Sequence, residues 1–115
     1  MNHPVLSRAP AATLSRVAAD VRRLAPEHLS EAARSCCKDC MGHTLDHLAR
    51  LALIGAMALA TDASRDTRSR YSGAVWSVRC PKTGVYRVEH DRDHGGDPML
   101  CLHAAFLWAK EETKR

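Results

Sequence analysis

Cys36, Cys37, Cys40, His43 and His47 lie in one short segment, S-C-C-K-D-C-M-G-H-T-L-D-H from Ser35 to His47, which gathers three of the chain's five cysteines and two of its seven histidines. Thiolate and imidazole are preferred zinc ligands. Two thiols separated by two residues suit redox exchange, and a cysteine can also serve as a small buried hydrophobe. The readings differ in the element that must hold the residues. On one continuous helix Cys36, Cys40, His43 and His47 share a face, because steps of three and four return to the same side. At about 1.5 Å per residue the outer two are then roughly 16 Å apart. One ion with bonds of about 2 Å cannot bridge that distance. If the helix stops at Gly42, Cys37 and Cys40 can form a knuckle and His43 with His47 a helical pair. A zinc-binding module built on Cys37, Cys40, His43 and His47 is then the alternative to a cofactor-free protein. Only Met41 and Gly42 separate the two pairs, whereas zinc modules of this spacing leave about twelve residues to wrap the ion.

The surrounding pattern supplies helices. Leu14, Val17, Ala18, Val21 and Leu24 recur at helical spacing behind Pro10, which predicts an amphipathic first helix. Pro26 interrupts it and can open a second, in which Leu29, Ala32, Ala33, Cys36, Cys37 and Cys40 continue the apolar stripe. A third helix is expected from about Thr44 to Ala60. It is apolar nearly all round, as a central helix should be.

The segment 61–72 is polar and without period, and reads as a surface linker. V-W-S-V-R-C and V-Y-R-V-E-H then flank P-K-T-G, which predicts a β-hairpin. Trp76, Val78, Cys80, Tyr86 and Val88 are expected to face the core, and Ser77, Arg79, Arg87 and Glu89 to face water. Asp97 and Pro98 are an N-cap and first residue for a closing helix to about Thr113, with Met99, Leu102, Phe106 and Ala109 on one stripe. The expected fold is α+β: three N-terminal α-helices, one antiparallel β-hairpin and a C-terminal helix packed on it. A single domain, 1–115, divides into a helical part (1–60), the linker (61–72) and the hairpin with its helix (73–115).

E-H-D-R-D-H-G-G-D, Glu89 to Asp97, begins like a calcium loop with Asp91 and Asp93. It then has Leu102 where such a loop needs a bidentate Glu. A solvated loop leading into a capped helix accounts for it, and polar loops beside a rigid hairpin commonly carry binding residues.

Two family resemblances bear on function. Cys37 to His43, C-x-x-C-x-x-H, resembles the alkylhydroperoxidase-like, carboxymuconolactone decarboxylase-like helical family, whose motif is C-x-x-C-x-x-x-H. That implies a thiol-disulfide oxidoreductase using Cys37 and Cys40. Position 44 is Thr44 here, and His43 is one residue early, rotated by about 100° on a helix. The hairpin, the G-G-D-P turn and P-M-L-C-L-H-A-A-F-L-W-A-K, Pro98 to Lys110, resemble the end of small phage proteins of the ABA-sandwich type. That resemblance implies a phage or mobile-element accessory protein, such as an inhibitor, acting on another protein.

Composition narrows the classes. The chain has 115 residues, is 45% hydrophobic and 26% charged, and carries a net charge of +4. These values suit a globular domain and argue against wholesale disorder. The basic residues are spread evenly. Arg65, Arg68, Arg70, Arg79 and Arg87 could meet phosphates, but no nucleic-acid-binding motif accompanies them. The longest apolar run, Leu51 to Ala60, is half of what a bilayer span requires, about 20 residues. A cytoplasmic location and no membrane partner are expected, and free thiols suit a reducing compartment. No catalytic constellation is complete, so the expected function is non-enzymatic protein binding, which could include homo-oligomerisation. Arg79, Arg87, Glu89, Asp91, Asp93 and Trp108 are the expected contact residues.

Overall fold

The computed structural model describes residues 7–39, 45–67 and 73–115, with the backbone alone for 35–39 and 45. Among these described residues, four helices and a three-stranded antiparallel sheet make it α+β. Helix α1 spans Ala11–Leu24 and buries Val17 and Val21. Ala25, fully buried, turns the chain into α2, Pro26–Asp39, where proline takes the first helical position and forfeits no bond. Helix α3, Leu45–Ala60, inserts Leu53, Ile54, Ala56 and Met57 into the core and touches α1, α2 and the C-terminal helix, the central position its composition predicts.

Gly55 of α3 sits against Ala32 of α2, so closely that a Cβ at position 55 would lie 3.0 Å from that of Ala32. Along one unbroken helix these two residues would be about 35 Å apart. The contact therefore makes α2 and α3 separate helices packed side by side. One unbroken helix uniting α2 and α3 is excluded.

Residues 61–67, the described part of the segment expected as a linker, are structured. Thr61 is fully buried and its hydroxyl donates to the Met57 carbonyl oxygen at 2.7 Å. Asp62 takes a left-handed conformation (φ 47°), which aspartate tolerates better than most residues. The chain then forms strand β1, Ser64–Asp66, antiparallel to β2, Val75–Arg79. A backbone pairing that carries Ser-Arg-Asp has no apolar alternation to announce it.

The hairpin of β2 with β3, Tyr86–His90, forms as predicted, but the faces of β3 are reversed. Pro81–Gly84 makes a four-residue loop, closed by the Cys80 N–H donating to the Val85 carbonyl oxygen (3.0 Å) and by Gly84 in the left-handed region (φ 76°). Cys80 thus stands opposite Val85, and the ladder places Arg87 opposite Val78 and Glu89 opposite Trp76. Directly opposed residues share a face. The core face of β3 therefore carries Arg87 and Glu89. Tyr86 and Val88, expected inside, project from the opposite face, beside Arg79 and Ser77.

A single 3₁₀ turn, Asp91–His94, leads through Gly95 and Gly96 to α4, Pro98–Thr113. Asp97 caps α4 by accepting from the Met99 and Leu100 N–H groups. The same carboxylate accepts from the Ser7 hydroxyl and the Arg8 N–H, tying the residues before α1 to the start of α4. Met99, Leu102, Phe106 and Ala109 are all buried, as the stripe predicts, and the Trp76 indole N–H donates to the Pro98 carbonyl oxygen at 2.8 Å. Helix α4 covers the inner face of β2 and β3.

Candidate functional site

The hydrogen-bonding parity of the hairpin defines what β3 offers to solvent. Cys80 bonds Val85 and the Asp91 N–H donates to the Ala74 carbonyl oxygen (3.0 Å), so both ends of the ladder are fixed. Bonded and non-bonded pairs alternate between them. Arg87 and Glu89 accordingly turn their backbone groups toward β2, whereas Tyr86, Val88 and His90 turn theirs outward. The sheet order is β1-β2-β3, so β3 is an edge. The His90 carbonyl, at the N-cap of the 3₁₀ turn, accepts that turn's first bond, and among the described residues nothing hydrogen-bonds the outward N–H groups of Tyr86, Val88 and His90 or the carbonyls of Tyr86 and Val88.

The side chains along that edge are equally open. Tyr86 is 69% exposed, Val88 52% and the adjoining Val85 46%, a high proportion for apolar side chains in sequence. On the inner side the Arg87 guanidinium donates to Glu89 at 2.7 Å and lies 5.7 Å from the centre of the Trp108 ring. Glu89 also meets His94 at 3.3 Å. Burial alone would raise its pKa, but hydrogen bonds from Arg87 and His94 outweigh that and hold the carboxyl below its usual range.

The expected contact residues do not form one surface. Arg79 lies on the outer face, 3.7 Å from Asp62. Arg87, Glu89 and Trp108 cluster on the inner side of the edge, and Asp93 is exposed on the 3₁₀ turn. Asp91, expected on a solvated loop, is buried and accepts two hydrogen bonds from Arg65, which in turn stacks 5.0 Å from the Trp76 ring. Arg65 is therefore committed to the fold and is not offered to phosphates. Arg68 and Arg70 lie outside the described residues. Sequence reading missed Tyr86 and Val88 as surface groups. Loop length was the available signal, since four residues between Cys80 and Val85 fix the parity.

Cys40 and His43 lie outside the described residues, and Cys37 is placed by its backbone alone, in the last turn of α2. His47 is half-buried in α3. Among the described residues no group of three potential ligands comes together. The two cysteines with described side chains are both buried and differ in chemistry. Hydrogen bonds from Thr83 and Thr113 favour the Cys80 thiolate and lower its pKa to about 7. Burial, reinforced by the neighbouring Asp91, raises Cys101 to about 12.

A second polar cluster joins α1 to α4. Asp20 meets His103 at 2.8 Å and Arg23 at 3.1 Å, beside a cleft bordered by Arg16, His94 and Leu107. No nucleophile or second base stands within bonding distance of the Asp20–His103 pair among the described contacts, and the pair works as a tie between the two helices. No described helix is long and apolar enough to cross a membrane.

No family model, curated protein or solved structure matches the chain.

Proposed function

We propose that the chain is a non-enzymatic protein-binding module, and that it binds by taking an extended segment of its partner as an additional strand against β3. The observation that carries this reading is the open edge, where Tyr86, Val88 and His90 present outward N–H groups, and Tyr86 and Val88 their carbonyls, beside exposed Tyr86 and Val88 side chains. Strand addition uses this combination: the main chain supplies affinity and alternate side chains supply specificity. An uncovered apolar edge in a folded domain is otherwise an aggregation liability, which proteins usually blunt. The other edge, β1, is three residues long and polar.

The experiment is selection of a displayed library of random peptides on the protein, with counter-selection on Val88→Pro. The Val88 N–H points away from β2, so proline there removes an edge donor without removing a hairpin bond. Enrichment of short alternating sequences that fail to bind the proline variant is expected. Equal capture by both proteins, or no enrichment, would overturn the reading.

A further inference from the structure

We infer that the strand added to β3 is β3 of a second copy of this chain, antiparallel, with the two-fold axis passing between the two Val88 residues. This rests on the strand-addition reading above and names its partner. The hydrogen-bond directions limit the pairing. Only Tyr86, Val88 and His90 face outward, so an antiparallel pairing must match members of this set with one another. Three symmetric registers pair at least two of them on each copy. With the axis at Arg87, the two Arg87 side chains stand directly opposite each other, and with the axis at Glu89 the two Glu89 carboxylates do. Like charges directly opposed disfavour both.

With the axis at Val88, the sequence Y-R-V-E-H is its own complement. Val88 meets the partner's Val88, Tyr86 meets the partner's His90, and Arg87 stands opposite the partner's Glu89 on the inner side. All three outward residues of each copy are then paired. Arg87 and Glu89 are already joined within one chain at 2.7 Å, so the dimer closes them into a ring of four alternating charges. Such an interface is isologous and self-limiting, joining two three-stranded sheets into one of six strands. The contact is only five residues long, so it forms as a concentration-dependent equilibrium.

Charge exchange tests the register. Sedimentation velocity of the full chain, from micromolar to near-millimolar concentration, is expected to pass from one chain to two. R87E places two acidic pairs across the axis and E89R two basic pairs, so each alone should associate at least tenfold more weakly. An equimolar mixture of the two variants should recover the dimer, because every opposed pair is again of opposite sign. A role for Arg87 and Glu89 in folding alone gives no such recovery. Val88→Pro, its fold checked by circular dichroism, should remain a single chain.

A wild-type chain that stays single at every concentration would overturn the inference, as would R87E and E89R variants that associate as readily as wild type, or a mixture that recovers nothing. A synthetic peptide of residues 84–92, added to isotope-labelled protein, separates this failure from that of the parent reading. If it shifts the Tyr86, Val88 and His90 amides of a chain that does not dimerise, strand addition stands and the second copy is wrong. If it shifts none and no dimer forms, both fall.

Discussion

Arg65 and Asp91 face each other across the sheet with two hydrogen bonds, of 3.1 and 2.5 Å, and both side chains are nearly out of water. Arg65 belongs to β1 and Asp91 follows β3, so the pair clamps the two outer strands across β2, over the Trp76 ring. Removing one member of a buried pair leaves the other charge uncompensated, which costs about 3 kcal/mol. Asp91→Ala should lose about that much in urea unfolding. A loss no larger than that of an exposed Asp93→Ala would contradict the role of the clamp.

The tie between Asp20 and His103 predicts an acid-dependent loss of stability. Burial raises the Asp20 pKa, but hydrogen bonds from His103 and Arg23 outweigh it, and the folded value lies below the unfolded 3.8. A depressed carboxylate stabilises the fold fully above its unfolded pKa and loses that contribution as pH falls through the folded value. Glu89, lowered from 4.5, acts in the same direction. Urea titrations between about pH 6 and pH 3 should therefore show a shallower decline for Asp20→Asn than for wild type. Parallel curves would refute the linkage.

The two buried thiols should differ in reactivity. With Cys80 near 7 and Cys101 near 12, peptide-resolved alkylation at neutral pH should modify Cys80 first. Thr113→Val should slow that modification, since the Thr113 hydroxyl lies 3.5 Å from the sulfur and favours the thiolate. Labelling of Cys101 at the rate of Cys80 would contradict the assignment.

Strand addition at β3 draws on backbone groups and needs no metal. Peptide capture by protein prepared without a histidine tag should thus be unchanged by EDTA and by Cys40→Ser. If chelation released about one zinc per chain and abolished capture, the function would pass to Cys37, Cys40, His43 and His47.

The helices were legible because their signals are local: Pro26 and Pro98 open α2 and α4, Asp97 caps α4, and apolar residues recur at helical spacing. The hairpin was legible as two alternating segments around P-K-T-G, but alternation alone leaves each strand free to turn either face inward. Loop closure between Cys80 and Val85 settles the choice, and a shift of one residue reverses it. The pattern suggested that Tyr86 and Val88 filled the core. The observed register instead buries Trp76 and Val78 under α4, opposite Glu89 and Arg87, and exposes the two apolar residues of β3. Strand β1 and the Arg65–Asp91 pair left no trace in sequence, because both depend on partners nine or more residues away. The Cys/His segment posed a question about helix continuity, which Gly55 against Ala32 answers.

The central claim is that β3 offers the backbone N–H groups of three residues to an incoming strand, and residue-resolved amide hydrogen exchange at low and high protein concentration tests it most directly. The Arg87 and Glu89 amides, bonded to β2, should exchange slowly at both concentrations. The Tyr86, Val88 and His90 amides should exchange rapidly when dilute and become protected when concentrated. Protection of all five amides in dilute solution would show the edge already closed, and three outward amides that stay fast at every concentration and with added strand peptide would show that nothing docks there.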